Sequence, residues 1–282
     1  VCPVAKAKLR DTLRRVRDDE LPEISMDTVR ASHAVWSRIV RGYFRSTVRG
    51  MENIPDRQCL FVAHHDGGVF PVNGVCFGVA WYDHFKFERG LYVLTHDLIH
   101  TLFRPFTELL PRSGLVPADR QWMDRVVESG HDLLVFPGAA RETFRTYWER
   151  EQIDLGGRTG FIKQAMKHNL PIVPVVSAGS HETLIVLRRG ARLARWLGLR
   201  KVVRSADNLP LLLGLPWGIW ILPILPQFPL PATVTTQVLA PVFVAGDPED
   251  ELAVKAAFDQ VLGAMQKALA ALYAERRYPI VG

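Results

Sequence analysis

"QCLFVAHHDGG" occupies residues 58–68. An unbroken apolar run ends in two histidines, an aspartate and two glycines. A short run with no polar alternation fits a strand buried on both faces, as in a parallel sheet enclosed by helices. Similar runs recur as "GLYVLTHD" (90–97), "HDLLVFPG" (131–138), "LPIVPVVSAG" (170–179) and "TVTTQVLAPV" (233–242). Helical patterns lie between them, at about 74–85, 98–110, 119–130 and 157–169. This alternation predicts an α/β fold, a mostly parallel central sheet flanked by helices. Chemistry in such folds gathers at the carboxyl ends of the strands, which would bring His64, His65, Asp97, Pro137 and Gly138 to one rim.

Upstream, "DTVRASHAVWSRIVRGYFRSTVRG" (27–50) reads as an amphipathic helix with Asp27 as its N-cap. Val35, Trp36, Ile39, Val40, Tyr43 and Phe44 form the apolar stripe, and arginines fill the other positions. The expected division is an N-terminal helical segment, 1–50, and an α/β domain, 51–282. The stretch "DPEDELAVKAAFDQVLGAMQKALAALYAERR" reads as a closing helix beginning at Asp247 or Pro248.

The chain of 282 residues carries a net charge of +6 and 35 basic residues, which suits a partner bearing phosphate. Cys2, Cys59 and Cys76 have no metal spacing and suggest a reducing compartment. The first twenty residues have no apolar h-region, so no signal peptide is expected. The most apolar stretch, residues 209–231, is long enough to span a bilayer, but its prolines would break a helix repeatedly. A strand, a buried loop or a surface dipping into a membrane is expected there. Residues 188–204 just before it hold seven basic residues and no acidic one. Polybasic sequence beside apolar, tryptophan-bearing sequence suits an anionic membrane surface, so a peripheral, cytoplasmic protein without a transmembrane helix is expected. Nucleic acid is disfavoured because the basic residues adjoin apolar sequence and not an aromatic-studded groove.

Bottom-up, a histidine at a strand end suits a general base, since its pKa lies near neutrality. Gly67 and Gly68 permit close backbone approach to a ligand. A helix starting near Pro71 would aim its amides back at the turn. Metal binding is not expected: adjacent histidines on extended chain point to opposite sides, and no further His or Cys pair completes a ligand set.

Four blocks in order give the chain a resemblance to the glycerolipid acyltransferases of the lysophosphatidate-acyltransferase type, in the branch close to diacylglycerol acyltransferases. In "AHHDGGVFPVNG" His65 falls on the family's catalytic histidine and His64 on its Asn. Asp66 falls on the Ser of one bacterial variant and Asn73 on that variant's later Asp. The family's usual acidic partner, five residues on, is Phe70 here. "SGLVPADRQ" places Gly114 and Arg120 on the second block. "LLVFPGAARETFR" resembles the third: Arg141 falls on the arginine associated with the acceptor's phosphate, and Gly138 stands where the family has Glu. Glu142 matches the Pro-Gly-Gly-x-x-Glu variant of the diacylglycerol branch. "LPIVPVVSAG", with Pro171 and Pro174, resembles the fourth block, and these prolines read as structural.

The resemblance implies an O-acyltransferase of lipid metabolism, including phospholipid biosynthesis. It would move a fatty acyl group from acyl-CoA or acyl carrier protein to a glycerolipid hydroxyl, with the thioester as co-substrate and no cofactor. His65 would be the base and Asp66 its partner, with Asp97, Glu142 and Asn73 as alternatives. Gly67, Gly68, Arg120, Gly138, Arg141 and Glu142 would bind substrate, and amides near Gly67, Gly68 or Gly138 could hold the oxyanion. Two other readings remain open: a lipid-binding protein of the same fold without catalysis, and a thioesterase or lipid hydrolase.

Overall fold

The computed structural model describes residues 21–65, 68, 70–96, 99, 100, 109–196, 209–221 and 228–278. Its strands are β1 (Thr47–Arg49), β2 (Leu60–Ala63), β3 (Leu91–Thr95), β4 (Leu115–Pro117), β5 (Asp132–Val135), β6 (Ile172–Ala178), β7 (Ile185–Arg188), β8 (Leu211–Gly214), β9 (Gly218–Ile221) and β10 (Thr235–Val238). Its longer helices are α1 (Met26–Gly42), α2 (Val72–His84), α3 (Arg120–Glu128), α4 (Gly160–His168) and α5 (Glu251–Ala274).

Seven strands form the main sheet in the order β1-β10-β6-β2-β5-β3-β4. From β6 to β4 every pairing is parallel, as the apolar runs predict, whereas β10 lies antiparallel to β6 and parallel to β1. Every residue of β2, β5 and β6 is buried. Alternation along β2 explains this. Leu60 and Val62 face a core built with α3, α4 and α5, whereas Phe61 and Ala63 face a second core built with Phe77, Trp81 and Tyr82 of α2.

That division sets the site. From β2 the chain leaves through α2 on one face; from the adjacent β5 it leaves through α4 on the other. Neighbouring strands whose exits diverge open a crevice at their carboxyl ends. The residues following β2 and β5 are His64–His65 and Phe136–Gly138.

Several boundaries differ from the sequence reading. The N-terminal helix is capped by Ser25, not Asp27, and stops at Gly42. Residues 47–49 are an edge strand of the main sheet, held by β10, so pairing with sequence nearly two hundred residues away overrides the local helical pattern. Val29, Val40 and Phe44 are buried, while Val35 of the expected stripe is exposed. Asp83 of α2 fastens α1 in place, accepting from Arg41 Nη2 at 2.6 Å and pairing with His33 Nε2 at 3.1 Å. The closing helix begins at Glu251, because Asp250, three residues past the expected start, accepts the Leu252 and Ala253 amides. Most of the helix expected at 98–110 lies outside the described residues. Among the described residues of 209–231 there is no helix. This stretch contributes the hairpin β8–β9, which joins β7 in a separate antiparallel sheet.

Candidate active site

β2 ends at Ala63, and the two histidines that follow diverge. His64 is buried. Its Nε2 accepts the Ser177 amide of β6 at 2.9 Å and its Nδ1–H points at the His65 carbonyl, 3.4 Å away. This pairing requires the neutral Nδ1–H tautomer. Burial, aided by the charge of Arg145, holds its pKa down at about 3. His64 is a structural hydrogen-bonder that ties β2 to β6.

His65 turns to the α2 face, where its ring lies against Phe136 with centroids 5.0 Å apart. Burial comes first, then the charges of Arg145 and His96, in pushing its pKa down to about 4. Its imidazole is therefore neutral over the whole physiological range, the protonation state a base requires. Nδ1 is buried and has no hydrogen-bond partner among the described residues.

The backbone of His65 is held tightly. Its amide donates to Glu142 Oε2 at 2.9 Å, and its carbonyl accepts from Arg145 Nη2 at 3.0 Å. The other Glu142 oxygen accepts the Asp154 amide at 3.1 Å, and Arg145 Nη1 lies 3.6 Å from that oxygen. Glu142 and Arg145 are almost wholly removed from solvent. Burial raises Glu142 to about 7, while Arg145 and the two amides pull the other way. His181, also buried, donates from Nε2 to the Arg145 carbonyl at 3.1 Å.

The turn bearing Glu142 is shaped for it. A Cβ on Gly138 would fall on the Glu142 carboxylate. Ala139 sits at φ 44°, ψ −139°, backbone that non-glycine residues rarely adopt and that surrounding structure must hold in place. Gly138 and Ala139 accept the Arg141 and Glu142 amides to close the turn.

The expected site residues therefore separate. His65, Gly138, Arg141 and Glu142 come together, but Glu142 is sealed inside and holds backbone rather than substrate, because both of its oxygens are used and it has no exposure. Nor does it reach the His65 ring. The Gly68 amide donates to the Thr143 carbonyl at 3.0 Å, so it is spent on the fold and is not an oxyanion donor. Asp66, Gly67 and Asp97 lie outside the described residues. Asn73 donates from Nδ2 to the His64 carbonyl at 2.6 Å and accepts the Gly74 amide, so it shapes the turn instead of orienting the imidazole. Arg141 is largely exposed at the rim and pairs with Asp154 at 3.2 Å. Arg120, exposed at the start of α3, follows β4, three strand positions from β2. At about 4.8 Å per strand this puts it roughly 14 Å from the His65 strand end. Gly114 of the same block serves the fold, since at φ 83° a Cβ there would fall on the Leu91 carbonyl.

Sequence reasoning overlooked Arg145 and His181. A glutamate in a turn too apolar to solvate it needs a nearby cation, and Arg145 stands three residues on; for His181 no sequence signal was available.

Residues 23–275 match the sequence model of the family described as diacylglycerol acyltransferase. An uncharacterized protein of Mycobacterium tuberculosis is 33% identical over 160 residues, covering 56% of this chain and 44% of that protein. Diacylglycerol O-acyltransferase 2 of Homo sapiens is 25% identical over 171 residues, covering 58% of this chain and 44% of that protein. The chain thus spans about half the length of the curated relatives it matches. Among solved structures, the 1-acyl-sn-glycerophosphate acyltransferase of Thermotoga maritima aligns with a TM-score of 0.49 and 16% identity, covering 85% of this chain and 79% of that one.

Proposed function

Because the chain belongs to the diacylglycerol acyltransferase family, we propose that it transfers a fatty acyl group from a thioester, acyl-CoA or acyl carrier protein, to the hydroxyl of a glycerolipid at a membrane surface. His65 is the general base. It takes the proton of the acceptor hydroxyl as the oxygen attacks the thioester carbonyl. The tetrahedral intermediate collapses to the new ester and expels the thiolate, which receives the proton from His65. No acyl-enzyme forms.

The observation that carries this reading is the state of His65. It follows the carboxyl end of β2 beside that of β5, is neutral well below pH 7, and is clamped by its own amide and carbonyl. A base held this way starts in the reactive protonation state and keeps its position as charge develops. Glu142 and Arg145 are positioning residues that act through the His65 backbone. Asp66 is the proposed partner of the His65 ring, with Asp97 the other carboxylate of this rim. Arg141, exposed beside the crevice, receives the phosphate of a lysophospholipid acceptor when one is used.

The test is transfer of a labelled acyl group from acyl-CoA to diacylglycerol and to lysophosphatidate in detergent. His65→Ala should lower the rate about 10²–10⁴-fold. A variant as active as wild type overturns the assignment of the base. Labelled free acid, formed equally with and without acceptor, indicates a hydrolase instead.

A further inference from the structure

β6 stands beside β2 and runs parallel to it, so its carboxyl end lies at the same end of the sheet as His65. From there the chain passes through the turn Ser180–Thr183 into the three-stranded sheet β7–β8–β9. Leu184, Val186, Leu212 and Trp220 form the small core of that sheet. The outward positions of a sheet covered on one side are ordinarily polar. Here they are Ile185, Leu211, Leu213, Ile219 and Ile221. The register sets Ile185 and Ile219 on either side of Leu213, and Leu211 opposite Ile221, so these side chains form a continuous face. Ile219 is 64% exposed, and Trp217 at the hairpin tip is 50% exposed. A contiguous apolar face on a soluble surface marks an interaction site, unlike isolated exposed residues.

Arg188 borders this face, standing opposite Leu211 in the register, and further cations follow it in sequence. Arg188 is exposed at the end of β7, and Arg195 is exposed on the helical turn Ala191–Trp196, followed by Trp196 at 81% exposure. Residues 188–196 contain no acidic side chain, and Glu149, from another element, is paired with Arg189.

We propose that the outer face of β7–β9 docks on an anionic lipid leaflet, with Ile219, Ile221 and Trp217 entering the headgroup region and Arg188 and Arg195 resting on lipid phosphates. The charge argues for lipid: an apolar face rimmed by cations complements a negatively charged interface, where tryptophan is also favoured. A second copy would bring the same cationic rim against itself. The sheet β7–β9 is reached from the carboxyl end of β6, the same end of the main sheet as His65. The inference rests on the membrane-surface reading above for its purpose, but the binding itself requires no turnover.

The test is sedimentation of the purified chain with phosphatidylcholine vesicles, with and without phosphatidylglycerol. Wild type should bind the anionic vesicles preferentially, and added salt should weaken binding. Trp217→Ser/Ile219→Ser should lower partition about tenfold or more, with thermal unfolding unchanged. Arg188→Glu/Arg195→Glu should remove the preference for phosphatidylglycerol, and His65→Ala should bind like wild type. Quenching of Trp217 by brominated lipid, read against Trp217→Phe, supplies evidence if the double variant folds poorly.

Wild type that ignores vesicles, equal binding to neutral lipid, or full binding by Trp217→Ser/Ile219→Ser overturns the proposal. So does a concentration-dependent dimer that this variant converts to monomer. A chain that binds through this face but transfers no acyl group refutes the proposed function alone. A chain that transfers acyl groups in detergent but ignores vesicles refutes this inference alone.

Discussion

Gly138 has no side chain where the Glu142 carboxylate lies, and a Cβ at that position would overlap it. The glycine at the end of β5 and the glutamate four residues on are thus one device. Through Glu142 the device reaches the amide of His65, 77 residues away in sequence.

Gly138→Ala should displace Glu142 and leave the His65 and Asp154 amides unmatched. Unsatisfied buried groups cost about 1–3 kcal/mol each, so for two of them a loss of roughly 2–6 kcal/mol is expected in urea unfolding. Activity should fall with it. Unchanged stability would mean that the turn accommodates a methyl group and that the coupling is weak.

Acid should destabilise the fold early. His64, His181 and His65 are held down at about 3, 3 and 4, against 6.5 when unfolded. Each binds a proton only in the unfolded chain as the pH falls below about 6.5, so its contribution to stability is lost on acidification. Glu142, raised to about 7 from 4.5, works in the opposite direction between those values. Glu182, also raised by burial, works the same way as Glu142. The three histidine protons outweigh these two carboxyls, so stability should fall as the pH drops from about 6.5 to about 4.5, giving a positive slope of stability against pH. His64→Asn should reduce that slope by about one proton in denaturant titrations at stepped pH.

The acid limb of kcat/KM reports the base of the free enzyme. With His65 at about 4, activity should persist well below pH 6.5 and be lost as the pH falls through 4. Because acid also unfolds the chain, rates should be read immediately after a jump from neutral pH. In Arg145→Met/Glu142→Gln the limb should move up, but by less than the whole gap, since burial depresses His65 more than Arg145 does. Arg145→Met alone strands a buried carboxylate and should cost about 3–5 kcal/mol.

The two arginines of the sequence reading should behave differently. Arg141→Ala should raise KM for a phosphate-bearing acceptor about tenfold with kcat little changed, as expected when a charge-assisted contact is lost. Arg120→Ala, at a position roughly 14 Å from the His65 strand end, should leave KM within about twofold. Equal effects would place the acceptor's phosphate across β5 and β3.

Much of this architecture was legible from residues 58–68 outward. Strands buried on both faces need apolar side chains at every position, and this signal is local, so β2, β3, β5 and β6 were readable together with α2, α3 and α4. The segment 27–50 misled because its last residues pair with β10, information that no window of neighbouring residues contains.

The amino-acid sequence alone determined the alternation of β2, β3, β5 and β6 with helices, the strand-end position of His65 and the likeness of four blocks to a family, because hydrophobic period and residue type are local properties. The roles within the site were decided only by tertiary structure. Strand order brings β5 beside β2, buries Glu142 with Arg145 and points His64 into the sheet. Desolvation and charge pairing depend on what surrounds a group in space, and so it took the fold to separate the proposed base, His65, from a strut, His64.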